Sequence, residues 1–224
     1  MELLKRFLIL SVAIISGLVS KAQNQTANPY PDYLEEVYLD MDFDQNLVTP
    51  EVPQQLHASV AAAMRTTAEQ FQSHLPEALK KVIRVDLTRS GEVLIVTYPS
   101  EELFNPNDTL LSRYADKALQ AILPLMKDPY MYKVMFAVNS DDTGSESYRD
   151  NLTEARQYSI YDWFFRNFDN GKIPEDIVVI PQGLGSTRPL PGTDFLTRDN
   201  RRKNRRVEFY FIPGPKLIEM VTPK

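Results

Sequence analysis

Asp141 and Arg156 are the two residues of this sequence with the clearest binding chemistry. Asp141 follows a run typical of a buried strand, and a carboxylate there can accept hydrogen bonds from an ammonium group. Arg156 comes fifteen residues later, near the start of a predicted helix, and a guanidinium can hold a carboxylate through two parallel hydrogen bonds. The two side chains can equally form a salt bridge that closes the loop between them. The pair alone leaves both interpretations open.

The surrounding segments carry further polar residues suited to a binding site. Ser140 and Gly144 flank the acidic position, and glycine permits a tight turn between strand and helix. We expect Thr153 to cap the helix, which would place free backbone N–H groups and the positive end of the helix dipole beside a carboxylate held by Arg156. Arg149 lies between the two halves of this candidate site.

A strongly basic segment lies further along the chain, with six Lys or Arg residues among positions 198–206. Such a cluster on its own is typical of a nucleic-acid patch. The net charge of −5 for the whole chain argues against that partner. The arginines of this segment can instead pair with nearby acids.

The predicted elements alternate between strands and helices, which favours an α/β sandwich. Runs 81–88 and 92–98 are predicted to form a hairpin around Arg89-Ser90-Gly91. The later elements are predicted as a helix from Asp108 or Thr109 to Lys127, a buried strand over 132–138, a helix from Thr153 to Phe168, a strand over 177–181, a Gly/Pro loop over 183–193 and a closing strand over 206–212. In the closing strand, Val207, Phe209 and Phe211 should face one side and Glu208 and Tyr210 the other.

The N-terminal part of the chain has a different composition. Residues 1–22 are predicted to be a cleaved signal peptide, with Lys5 and Arg6 before an apolar run of thirteen residues and Ala22 at the cleavage site. That run is too short to span a membrane. Residues 23–53 are acidic and contain four prolines, which predicts an extended linker whose aromatic residues dock elsewhere. Residues 54–80 are predicted as a helical extension, and 214–224 as a C-terminal tail.

Composition excludes several classes of function. The 224-residue chain has no cysteine, so disulfides, thiolate metal sites and a lipid-modified N-terminal cysteine are excluded. Its two histidines, His57 and His74, lie seventeen residues apart on one predicted helix, too far apart to share a ligand. No G-x-S-x-G or H-E-x-x-H motif is present. We therefore predict neither an enzyme nor a metal or other cofactor.

Four motifs occur in an order that resembles the OmpA-like C-terminal domain, the module shared by OmpA, the peptidoglycan-associated lipoprotein and MotB. The family pattern is T-D-x-x-G, L-S-x-x-R-A, G-x-G-x-x-x-P and N-R-R-V-E. It is matched by Ser140–Gly144, Leu152–Arg156, Gly183–Pro189 and Asn204–Glu208. The resemblance covers about residues 81–213. It implies a βαβαβ-type domain with a mixed sheet and two main helices, here preceded by an N-terminal helix.

The resemblance also implies a function, the non-covalent binding of peptidoglycan through the diaminopimelate of its stem peptide. In that case Asp141 receives the ligand ammonium and Arg156 its carboxylate. Ser140, Gly144, Arg149 and Thr153 complete the site, and Arg201, Asn204 and Arg205 are secondary. The protein would then reside in the periplasm of a Gram-negative envelope. There it would link an envelope component to the cell wall. It would be either free in the periplasm or tethered to the outer membrane through a protein partner, for which residues 23–80 are the candidate contact.

The chain departs from the family pattern at several positions near the site. Ser140 stands for the usual Thr and Thr153 for the usual Ser, and both keep a hydroxyl group. Arg149 stands where the family usually has Asn, and Gln157 replaces a small Ala. Both changes bear on ligand affinity. They keep open an alternative in which the chain is an envelope interaction protein that has lost wall binding. A segment around Leu103-Phe104-Asn105-Pro106 is only loosely matched, and its register stays open.

Overall fold

The computed structural model describes residues 29–30 and 33–223. All elements given below belong to the unit formed by Asp32–Lys224. The predicted signal peptide lies outside the described residues. None of the helices in the described part of the chain is long and apolar enough to cross a membrane.

One mixed sheet organises the domain. Its strands are β1 (Arg84–Thr88), β2 (Val93–Pro99), β3 (Tyr132–Asn139), β4 (Val179–Gly183) and β5 (Arg206–Pro213). Their spatial order is β1-β2-β5-β3-β4, with β3 and β4 parallel and every other pair antiparallel. The predicted α/β architecture with a mixed sheet is confirmed.

The helices of the described chain are mostly short. They are α1 (Glu35–Leu39), α2 (Phe43–Val48), α3 (His57–His74), α4 (Glu77–Lys80), α5 (Ser100–Leu103), α6 (Ala115–Leu119), α7 (Glu146–Asp169), α8 (Arg198–Asn204) and α9 (Pro215–Val221). The two long ones, α3 and α7, contribute Val60, Met64, Ile160 and Phe164 to the main core. The predicted N-terminal helix therefore packs into the same core as the sheet.

The sheet register explains why polar residues gather at one edge. Asn139 at the end of β3 pairs with Arg206 at the start of β5, and Arg206 also pairs with Pro99 at the end of β2. Strand β4 runs parallel to β3, so its end lies at the same edge. The residues that follow β2, β3 and β4, and the residue that precedes β5, consequently meet there.

The two faces of the sheet are covered differently. Val207, Phe209 and Phe211 belong to the main core, as the alternation predicts. On the other face, Tyr210 packs edge-to-face against Phe43 of α2, with ring centroids 5.4 Å apart. The predicted aromatic docking of residues 23–53 is thus observed. The predicted extended linker is wrong here, because this segment forms the helices α1 and α2. A capping box formed by Asp42 and Gln45 starts α2.

Several predicted boundaries are wrong. Helix α7 begins at Glu146 instead of Thr153, because the Ser145 hydroxyl accepts a hydrogen bond from the Tyr148 backbone N–H and caps it early. The helix predicted from Asp108 begins at Ala115, since the Asp108 carboxylate forms a local turn with the Leu110 N–H. It continues as a 3-10 helix over Gln120–Met126, which contains Pro124.

Two further boundaries differ near the C-terminus. The predicted strand over 177–181 is displaced by two residues, to Val179–Gly183. The basic segment forms helix α8, whose N-cap Thr197 accepts a hydrogen bond from the Asn200 N–H. The predicted tail contains α9, which buries Leu217 in the core.

Candidate functional site

A groove of about 380 Å³ lies at the sheet edge where β2, β3 and β5 meet. It is lined by Ser100, Glu101, Phe104, Asn105, Pro106, Asn107, Ser140, Asp141, Thr143, Tyr148, Arg149, Leu152, Arg156 and Arg205. Five of the predicted site residues are therefore brought together here: Ser140, Asp141, Arg149, Arg156 and Arg205. The lining combines an apolar wall with three arginines and two acids.

Asp141 is held at the end of β3 by interactions with its own loop and with the residue before β5. Its residue surface is only 4% exposed, and one carboxylate oxygen accepts a hydrogen bond of 2.9 Å from the Thr143 backbone N–H. The other oxygen pairs with the Arg205 guanidinium. In the described part of the chain no ion pair joins Asp141 to Arg156, so the predicted alternative of a salt bridge between these two is wrong. Arg205 pairs with Asp141 instead, because the sheet register brings the start of β5 beside the end of β3.

Arg156 lies on the groove wall, and within the described chain it forms no ion pair with a carboxylate. Its Nε donates to the Asp108 carbonyl at 2.9 Å, and Nη2 donates to the Asn105 carbonyl at 3.4 Å. The guanidinium carbon is 4.7 Å from the centroid of the Phe104 ring, a cation–π contact. Burial lowers the pKa of this guanidinium, and the nearby Arg205 charge lowers it further, while Tyr148 and Asp108 oppose the shift.

The helix terminus does not assist Arg156 as predicted. Helix α7 starts ten residues before Arg156, so this residue lies well inside the helix. Free N–H groups and dipole charge are confined to the first turn. The prediction that they support a carboxylate held by Arg156 is therefore wrong.

Arg149 ties the loop after β3 to the start of α7. Its Nη1 donates to the Gly144 carbonyl at 2.7 Å and to the Asp142 carbonyl at 3.3 Å. Gly144 adopts a φ of 84°, the left-handed conformation that the predicted tight turn requires. Within the described residues Arg149 has no carboxylate as an ion-pair partner. The groove thus contains two guanidinium groups, at Arg149 and Arg156, whose hydrogen-bond acceptors are neutral carbonyls.

Thr153 and Asn204 lie outside the groove lining, and each binds the backbone of the loop that follows β4. The Thr153 hydroxyl donates to backbone carbonyls of its own helix and accepts a hydrogen bond of 3.0 Å from the Gly185 N–H. Asn204 is fully buried and accepts a hydrogen bond of 2.7 Å from the Leu190 N–H. Direct ligand contacts by Thr153 and Asn204 stay predictions. Ser140 is also buried, with its hydroxyl bonded to the Asp141 carbonyl.

The basic helix α8 is largely neutralised by acids. Arg201 forms two hydrogen bonds with the Asp142 carboxylate, from Nε at 2.7 Å and from Nη2 at 3.3 Å. The Arg201 guanidinium lowers the pKa of that carboxyl. Arg202 pairs with Glu101 at 2.7 Å. These contacts favour the structural interpretation of Arg201, which fixes α8 against the loop after β3.

The sequence reasoning missed several groove residues. Phe104, Asn105 and Pro106 belong to the segment that matches the family pattern only loosely. The match is too loose to show which of their side chains face the site. Tyr148 was missed because its position on the groove depends on the early start of α7. Glu101 lies in none of the four motifs. Leu152 opens the second motif, but an apolar side chain there gives no sign of a ligand contact. Within residues 29–30 and 33–223, no group of His, Cys, Asp and Glu residues could hold a metal ion.

The chain is similar in structure to several solved proteins. A protein described as MotB-like from Desulfovibrio vulgaris superimposes with a TM-score of 0.60 at 22% identity, over 70% of this chain and 99% of that one. The cell-wall anchor of the T6SS from Pseudomonas aeruginosa gives a TM-score of 0.51 at 17% identity, over 65% and 96% of the two chains. No protein-family model matches the chain, and no curated protein sequence does.

These likenesses establish the fold. The described chain has the fold of an OmpA-like or MotB-like domain, as the four motifs predict. One of these two neighbours is described as a cell-wall anchor.

Proposed function

We propose that this chain binds peptidoglycan non-covalently, through the amino-acid head of diaminopimelate in the stem peptide. The observation that carries the proposal is the charge pattern of the groove. One buried carboxylate, Asp141, lies in the same groove as the guanidinium of Arg156, which has no carboxylate partner in the described chain. A free amino-acid head carries an ammonium and a carboxylate on one carbon, and this pattern is complementary to it.

The ligand carboxylate is best held between Arg156 and Arg205. The two guanidinium groups are close enough for the Arg205 charge to lower the pKa of Arg156, so their repulsion is relieved when an anion lies between them. Arg149 extends the positive potential along the same wall. The planar guanidinium of arginine can donate two parallel hydrogen bonds to one carboxylate, a geometry that the ammonium group of lysine cannot provide.

The ligand ammonium is assigned to Asp141. Because Asp141 already pairs with Arg205, the incoming ammonium must share the carboxylate or replace that guanidinium. Replacement would free Arg205 to bind the ligand carboxylate. Binding then exchanges one internal ion pair for two intermolecular ones.

The predicted cellular setting belongs to this proposal. We infer export by the N-terminal signal sequence and residence in the periplasm, where the chain links an envelope component to the wall. The fold shared with the T6SS cell-wall anchor supports this setting. Residues 23–80 are proposed to contact a protein partner. We propose no catalytic activity.

The alternative, an envelope interaction protein without wall binding, is favoured by one observation. Asp141 already forms an ion pair with Arg205 inside the protein. In the alternative, the role of this pair is purely structural, and it fixes the start of β5 beside the end of β3.

Co-sedimentation with purified peptidoglycan tests the two proposals. The full chain should sediment with walls that contain diaminopimelate and much less with walls that contain lysine at that position, because lysine lacks the second carboxylate. Asp141→Asn serves as the matched negative control. Sedimentation with neither wall would favour the interaction protein, whereas equal sedimentation with both walls would contradict recognition of diaminopimelate.

A further inference from the structure

Tyr148 connects the two walls of the groove. It lies in the first turn of α7, and its hydroxyl donates a hydrogen bond of 3.4 Å to the side-chain carbonyl of Asn107 on the facing loop. Both residues line the groove. Tyr148 is 44% exposed, so much of its ring surface is open to solvent.

The ring position depends on Gly144. A Cβ atom built on Gly144 would lie 2.8 Å from Cδ1 of Tyr148, closer than such atoms approach in real structures. Gly144 also has a φ of 84°, which side-chain-bearing residues rarely adopt. The glycine therefore has two separate roles: it allows the turn after β3, and it leaves room for the tyrosine ring.

Tyr148 is also the aromatic side chain of the groove lining that remains available for contact. The other aromatic residue there, Phe104, is only 2% exposed, and one face of its ring lies against the Arg156 guanidinium. Pro106 and Leu152 add apolar surface to the same groove. An apolar wall beside a charge pair suits a ligand whose charged head is carried on an aliphatic chain.

We propose that Tyr148 is a specificity-determining residue, whose ring packs against the methylene chain that separates the two amino-acid heads of diaminopimelate. This inference rests on the proposed function and deepens it. The charged residues recognise the head, and Tyr148 distinguishes a head on a methylene chain from the head alone. The hydrogen bond to Asn107 holds the ring at the groove before the ligand arrives.

The experiment compares the affinities of the full chain for meso-diaminopimelate and for D-alanine, which has the same kind of head but no methylene chain. Titrations followed by NMR give both dissociation constants. Tyr148→Ala should weaken binding of meso-diaminopimelate by about tenfold, through lost apolar contact, and leave binding of D-alanine nearly unchanged. Tyr148→Phe keeps the ring and should retain most of the preference for the longer ligand.

Gly144→Ala tests the same inference without changing Tyr148 itself, because the added methyl group displaces the Tyr148 ring. Gly171→Ala is the matched control, since Gly171 has a φ of 67° and no atom within 4 Å of the added carbon. Both substitutions strain the backbone, but only Gly144→Ala should reduce the preference for meso-diaminopimelate.

The outcomes separate this inference from the proposed function. If the wild-type chain binds meso-diaminopimelate and Tyr148→Ala keeps the full preference, Tyr148 has no role in specificity and the inference is wrong. An equal loss of preference in Gly171→Ala would attribute the glycine effect to backbone strain and also contradict it. A wild-type chain that binds neither compound would overturn the proposed function and this inference together.

Discussion

Replacing Asp141 by Asn separates ligand recognition from structural pairing, because the amide preserves the shape and removes the charge. In the structure the Asp141 carboxylate accepts from the Thr143 N–H and pairs with Arg205. Asn can keep the first interaction through its side-chain oxygen. The pair with Arg205 loses its negative partner, and the site loses the anion that the ligand ammonium requires.

The two effects differ in expected size. The Arg205 side chain is 40% exposed, so solvent screens the pair, and its loss should lower the free energy of unfolding by about 1 kcal/mol or less. A hydrogen bond between the ligand ammonium and a charged acceptor is worth about 1.5–3 kcal/mol, so affinity should fall by about ten- to a hundredfold. Asp141→Asn should therefore bind poorly while melting close to the wild type.

A double-mutant cycle with Arg205→Gln completes the test. Unfolding in urea and calorimetric titration with meso-diaminopimelate are measured for the wild type, both single variants and the double variant. Asp141→Asn should still cost about tenfold or more in affinity when Arg205 is already Gln, because Asp141 contacts the ligand itself. If Asp141→Asn has no effect on binding in that background, Asp141 acts only by holding Arg205 and the assignment of the ammonium is refuted.

Three further expectations concern other parts of the chain. Arg156→Lys should weaken binding nearly as much as Arg156→Ala, because an ammonium cannot reproduce the guanidinium fork; calorimetric titration showing near wild-type affinity for the lysine variant would contradict bidentate binding. Burial raises the pKa of Glu35 to about 7, so its ionisation destabilises the fold as pH rises from 4.5 through 7. Glu35→Gln should be about 2–3 kcal/mol more stable than the wild type at pH 8 and equal to it below pH 4.5 by urea unfolding, and a difference independent of pH would contradict this. Export predicts an N-terminus at Gln23 when envelope-fraction protein is analysed by intact mass, whereas retained Met1 would disprove cleavage after Ala22.

Much of the central sheet could be predicted from the sequence, because the strands have apolar or alternating patterns that can be recognised over a few residues. The run over Tyr132–Asn139 is apolar enough to indicate a buried strand, and β5 alternates between faces as its pattern predicts. The hairpin at Arg89–Gly91 was also predictable, since Gly91 adopts a φ of 98° in the turn. These features depend on neighbours close in sequence.

The N-terminal helices and the start of α7 depend on interactions that composition does not reveal. Prolines and acids in residues 23–53 suggested an extended chain, yet Phe43 and Tyr38 are buried against the sheet. Lys133 on that face donates to the Asn46 carbonyl at 2.7 Å, a contact across 87 residues. Only the folded sheet creates the surface on which these short helices become stable.

The site could be located but its pairings could not. The motifs contain Asp141 and Arg156, Arg149 lies between these two in the sequence, and all three line one groove. The partner of Asp141 is Arg205, a choice set by the pairing of β3 with β5. Such choices depend on how far each side chain reaches in three dimensions, which spacing along the chain does not give.

The most direct test of the proposed function is an NMR titration of the full, isotope-labelled chain with meso-diaminopimelate, with Nα-acetyl-L-lysine amide as the control compound. We predict saturable shifts of the Thr143 backbone amide and of the Arg156 and Arg205 side-chain Nε–H signals, and much weaker effects from the lysine derivative, which has a free side-chain ammonium but no free carboxylate. Absence of shifts at these groups, or equal shifts with both compounds, would contradict recognition of diaminopimelate by this groove.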